Sequence, residues 1–131
     1  MFLSHGARDA WIARQMARCV IEAGAETFLD VYDIETGDDF EERIRDAVIN
    51  CDELLALFTP FSMRRAWVFM EIGAAWAQGK RVSAILYGMT IKDFDTDNAT
   101  GAGLLKTRHV RDLNDFDQFL RELEVRCANG R

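Results

Sequence analysis

The chain has 131 residues, 49% of them apolar and 29% charged, with a formal net charge of −6. That length and balance suit one globular domain with its own core, so residues 1–131 are read as a single unit. The acid excess argues against nonspecific nucleic-acid binding, and no apolar run reaches the roughly 18 residues of a membrane span. With no signal peptide ahead of the first strand, and Cys19, Cys51 and Cys127 in neither a zinc spacing nor a disulfide framework, the expected setting is a reducing cytoplasm.

Met1–Ser4 is a short apolar start broken by His5-Gly6, as in a buried strand. A helix is predicted over Ala10–Ala23, with Asp9 as its N-cap and Gly24 as its stop. Glu26–Asp30 follows as a strand and Val31–Gly37 as a loop. Asp38–Asn50 is an amphipathic helix with Phe40, Ile44, Ala47 and Val48 on one face and acids in its first turn, where the helix dipole favours them. Leu54–Phe58 is continuously apolar, the mark of a strand covered on both faces, and Thr59-Pro60 ends it. Arg65–Gly79 reads as a helix and Val82–Tyr87 as another buried strand. The segment Thr90–Thr107 is polar, with one short helical piece around Leu104. His109–Leu113 is a last short strand, and Asp115–Cys127 a closing helix using Phe116, Phe119, Leu120 and Leu123. Strands alternating with helices through short connections imply a mostly parallel sheet with helices on both faces. Ligands of such sheets bind beyond the carboxyl ends of the strands, where the strand order reverses.

Within Trp67–Ala77 the only charge is Glu71. Helical spacing sets Trp67 one turn before it on the same face, so a large ring would adjoin a carboxylate in partly apolar surroundings. Two readings follow. Glu71 is a functional carboxylate, or it is a core-edge residue whose head reaches water or pairs with Arg64 or Arg65. In Ser4-His5-Gly6-Ala7-Arg8-Asp9, Ser4 and backbone N–H groups could bind ligand hydroxyls or phosphate, with Arg8 adding charge; equally, Asp9 caps a helix and Gly6 makes a turn. The acids between Asp30 and Asp46 lack calcium-loop spacing, and two separated histidines offer few metal ligands. Dinucleotide-binding and P-loop glycine patterns and a nucleophile elbow are all missing, and the acidic residues of a phosphate-accepting receiver are not in their places.

Taken together, F-L-S-H at Phe2–His5, F-L-D at Phe28–Asp30, I-x-x-G at Ile34–Gly37, L-L-A-L-F-T-P at Leu54–Pro60 and W-x-x-x-E at Trp67–Glu71 resemble a Toll/interleukin-1 receptor (TIR) domain over nearly the whole chain. The continuation from Glu71 to Val82 looks most like bacterial TIR domains. The resemblance implies an α/β, flavodoxin-like three-layer sandwich with a five-stranded parallel sheet. It also implies cleavage of NAD at the nicotinamide–ribose bond, to ADP-ribose or a cyclic isomer, in antiviral signalling or NAD depletion. NAD is then the substrate, and no cofactor or metal is required. Matched residue by residue, Glu71 is the catalytic acid and Trp67 its supporting ring. Ser4, His5, Arg8, Asp9, Asp30 and Ile34 fall to substrate binding, and Tyr32, Asp33, Ile34, Glu35 and Gly37 to a loop used in self-association.

Only Met1 precedes the F-L-S core, so the first strand is short or the natural chain begins earlier. The polar end at Ala128–Arg131 is a terminus or the start of a linker to a sensor domain, and a separate effector partner is the other arrangement the resemblance allows. Two other functions stay open at this stage. One is a non-enzymatic scaffold docking through the acidic loop; the other is a relative of nucleoside deoxyribosyltransferases, which also break N-glycosidic bonds with a glutamate.

Overall fold

The computed structural model describes residues 1–29, 40–62, 66–90, 92–93 and 109–129. Five strands, β1 (Phe2–Ser4), β2 (Phe28–Leu29), β3 (Glu53–Phe58), β4 (Arg81–Leu86) and β5 (Val110–Asp112), form one parallel sheet in the order β2-β1-β3-β4-β5. Among the described residues, four α-helices of a full turn or more cover it: α1 (Ala10–Glu22), α2 (Phe40–Asn50), α3 (Ala66–Ala77) and α4 (Phe116–Ala128). The expected flavodoxin-like α/β sandwich with five parallel strands is therefore the fold observed.

Period-two alternation sorts the sheet into two cores. Phe2, Leu54, Ala56, Phe58, Val82, Ala84 and Leu86 face one way and pack with Val48 of α2 and with Ile72 and Ala75 of α3. Leu3, Leu55, Leu57 and Ile85 face the other way, against Ala13, Met16, Ala17 and Val20 of α1 and Phe116, Phe119 and Leu123 of α4. Covered on both sides, β3 carries the continuous apolar run Leu54–Phe58 of an inner parallel strand, and β4 is apolar from Val82 to Leu86 except for the buried Ser83. The strand order reverses between β1 and β3, so the ligand crevice belongs at the carboxyl ends of those two strands.

Helix ends follow local chemistry. Gly24 (φ 108°) and Gly79 (φ 72°) take the left-handed conformation just past α1 and α3. At each, the glycine N–H and the next N–H turn back onto the helix, Gly24 to Ile21 and Ala25 to Val20, Gly79 to Trp76 and Lys80 to Ala75. This closing motif satisfies carbonyls that a helix end otherwise leaves open. Lys80 Nζ donates to the carbonyls of Val48, Ile49 and Cys51, fastening the end of α2.

Most boundaries differ from expectation by one or two residues, the ordinary uncertainty of fraying ends. The consequential shift is at β3, which begins at Glu53 and takes a buried carboxylate into the strand. Asp9 occupies the N-cap position of α1 but makes no side-chain cap, because its carboxylate is engaged elsewhere. The helical spacing of Ile21, one turn after Ala17 and beside Val20 in α1, predicts the core face, yet the residue is exposed. The expected helical piece around Leu104 lies outside the described residues.

Candidate active site

At the carboxyl end of β1, where the strand order places the crevice, lies a hydrogen bond between two buried side chains. Ser4 Oγ donates to Glu71 Oε1 at 2.9 Å. Ser4 is the last residue of β1 and shares the parity of Phe2, so it faces α3. Its neighbour in register on β3 is Ala56, whose neighbour on β4 is Ala84. This lane of small side chains leaves room under the helix, and Glu71, Ile72 and Ala75 of α3 turn toward it. Glu71 is 3% exposed. Its head is thus held inside the protein, away from water; the alternative pairing with Arg64 or Arg65 falls outside the described residues.

Beside this pair, the loops after β1 and β3 are laced together. A Cβ at Gly6 would lie 3.2 Å from Ser62 Cβ, so the two loops approach as closely as they do because position 6 has no side chain. Thr59 Oγ1 donates to Asp9 Oδ2 at 2.7 Å, and both residues are buried. The Thr59 N–H donates to Ser62 Oγ at 2.8 Å, and the Phe61 N–H to Thr59 Oγ1 at 3.2 Å. Ahead of Asp9, the exposed Arg8 lays its guanidinium 4.9 Å from the centre of the Phe61 ring. His5 is buried, and desolvation holds its imidazole below the usual pKa of 6.5; the charge of Arg14 acts the same way, while a backbone hydrogen bond with Leu3 and the charge of Asp9 oppose it.

Of the residues singled out from sequence, Ser4, His5, Arg8, Asp9 and Glu71 gather at this edge of the sheet. Position 67 lies on α3 one turn before Glu71. Asp30, Tyr32, Asp33, Ile34, Glu35 and Gly37 lie outside the described residues. Sequence reasoning missed Thr59, Phe61 and Ser62 as partners of the first loop. A threonine and a serine flanking a proline at the end of a buried strand were the available signal. It also missed Glu53, which Arg126 Nε and Nη2 hold at 3.0 Å each.

A separate open groove of 290 Å³ lies between α1 and α4, with Trp11, Met16, Tyr87 and Phe116 in its lining and none of the crevice residues. Among the described residues, no cluster of three or more His, Cys, Asp or Glu could hold a metal, and no helix is long and apolar enough to cross a membrane.

A family model described as TIR domain matches residues 1–124. The probable 2′ cyclic ADP-D-ribose synthase BdTIR of Brachypodium distachyon is 27% identical over 124 residues, covering 93% of this chain and 54% of that protein. The chain therefore spans about half the length of this curated relative. Among solved structures, the TIR domain of the Toll-related receptor TRR-2 of Hydra magnipapillata superposes with a TM-score of 0.64 at 19% identity, over 95% of this chain and 90% of that one. The TIR domains of the activated Roq1 resistosome, which recognises the pathogen effector XopQ, give 0.63 at 17% identity over 99% and 83%. A TIR-STING receptor of C. gigas gives 0.58 at 20% identity over 80% and 40%.

Proposed function

Since this chain belongs to the TIR domain family, we propose that it cleaves NAD at the nicotinamide–ribose bond and that Glu71 is the carboxylate which serves the reaction. The observation that carries this is the buried Glu71 head, fixed by a hydrogen bond at the point where the strand order reverses. The name of the Brachypodium relative, a probable cyclic ADP-ribose synthase, supports the same chemistry.

The reaction suits one carboxylate. As the C–N bond breaks, its electron pair goes to the ring nitrogen, so cationic nicotinamide leaves neutral and needs no acid. Positive charge develops on the ribose, and a fixed carboxylate beside it stabilises that charge and orients the ribose hydroxyls. The acceptor then bonds to the sugar carbon and releases a proton. Water gives ADP-ribose; an atom within the same molecule gives a cyclic isomer. Arg8 and Phe61, exposed at the same rim, supply a cation and a ring face for the far half of the dinucleotide.

Our reading includes assembly of several copies in the cytoplasm as part of a defence response. Its support on this surface is the set of exposed large apolar side chains, among them Trp11, Met70, Trp76 and Tyr87. The test is a panel of NAD against deoxynucleosides over a range of protein concentration, for wild type and Ile34→Asp, with nicotinamide and free base measured. Nicotinamide release that rises steeply with concentration, and that Ile34→Asp lowers, is expected. Cleavage of deoxynucleosides with NAD untouched, or no cleavage by assembled protein, would overturn the proposal in favour of a transferase or a scaffold.

A further inference from the structure

We infer that Ser4 is a positioning residue, whose hydroxyl fixes the carboxylate of Glu71 for catalysis and does not itself hold substrate. The inference rests on the NAD-cleaving reading above and assigns Ser4 a different part from the substrate contact suggested by its place in the first loop. Ser4 is 0% exposed, and so are Phe2 and Leu3 before it, so the end of β1 is locked between β2 and β3. A serine hydroxyl has one proton to give, and here it goes to Glu71 Oε1. That leaves no donor for a ribose or phosphate oxygen.

A glutamate side chain turns about three bonds, and the strand lane beneath α3 at this point holds the small residues Ser4, Ala56 and Ala84. The hydroxyl adds a directional restraint to that of burial. It anchors one oxygen of the carboxylate at the strand end and so narrows the orientations open to the other oxygen. A charge-assisted hydrogen bond of this kind is among the stronger ones a protein makes. Its effect on the reaction falls in the transition state, where charge develops on the sugar, more than on the binding of NAD in its ground state. Loss of a supporting group therefore lowers kcat and leaves KM nearly unchanged, whereas loss of a substrate contact raises KM.

The experiment compares wild type with Ser4→Ala, Ser4→Thr and Ser4→Cys in two measurements, both on the chain in its assembled form. Kinetics of nicotinamide release should show kcat down about tenfold or more in Ser4→Ala with KM within about twofold, and recovery in Ser4→Thr, which keeps the hydroxyl. Ser4→Cys fills the same space with a weak donor and should resemble Ser4→Ala, which covers the case in which the alanine or threonine variant folds poorly. Independently of turnover, the NMR signal of a carbon-13-labelled Glu71 carboxyl should shift in Ser4→Ala and return in Ser4→Thr. An unchanged carboxyl signal in Ser4→Ala would overturn the inference whatever the kinetics, as would a rise in KM with kcat preserved. Wild-type protein that releases no nicotinamide would defeat the NAD reading alone, and the carboxyl signal would still decide whether Ser4 positions Glu71.

Discussion

The hydroxyl of Thr59 donates a 2.7 Å hydrogen bond to the carboxylate of Asp9, joining the loop that follows β3 to the turn that leads into α1. Both partners are buried, and the bond spans the gap between the two strands at which the sheet order reverses. The rim of the crevice is built as one piece by this contact and by the close approach of Gly6 to Ser62.

Removing the donor leaves a buried carboxylate with one partner fewer. Thr59→Val should therefore destabilise the fold by about 1–3 kcal/mol, measured by urea denaturation. Asp9→Asn, which keeps an oxygen able to accept the bond, should cost less than Asp9→Ala. Equal losses in the two Asp9 variants would mean that the hydrogen bond contributes little.

At the opposite end of the sheet, Arg126 holds Glu53 through two hydrogen bonds, and Arg81 Nε stands 4.0 Å from the same carboxylate. Glu53 is buried, so truncating its main partner leaves its charge less well compensated. Arg126→Ala should destabilise by about 3 kcal/mol, and the double variant with Glu53→Met should recover much of the loss. Additive losses in the double variant would contradict this pairing. Nicotinamide release should be unaffected by the pair once stability is matched, because neither residue lies in the crevice.

Burial lowers the pKa of the His5 imidazole in the folded chain, so it takes up its proton at a lower pH than in the unfolded chain, where the usual pKa is 6.5. The unfolded state then binds more protons, so this contribution to stability is complete above about pH 6.5 and lost as the pH falls below it. The wild type should lose more melting temperature than His5→Gln between about pH 7.5 and 5.5. Parallel curves for the two would contradict the assignment.

Much of the architecture was legible in the chain because the strands are two-sided and the helices one-sided. Leu54–Phe58 reads as buried on both faces since no polar residue interrupts it, and Gly24 and Gly79 mark the ends of α1 and α3. Glu71 was legible because one charge in an apolar helix needs a physical reason to be there. What pairs with it was not, since Ser4 lies 67 residues away and only the parity of β1 and the sheet order bring the two together. Glu53 escaped notice for a similar reason: next to Asp52 it reads as a polar strand edge, and its partner Arg126 comes from the other end of the chain. Asp9 looked like a cap because local spacing permits one, yet the longer-range hydroxyl of Thr59 takes its carboxylate.

The most direct measurement of the central claim is nicotinamide release from NAD by Glu71→Gln beside wild type, at equal concentration and with melting curves for both. Glutamine keeps the shape and an acceptor oxygen for Ser4 but removes the charge. The account predicts a fold that melts close to wild type and a rate lower by about a hundredfold or more, the scale on which one oriented electrostatic group acts. A Glu71→Gln protein that releases nicotinamide at the wild-type rate would contradict it.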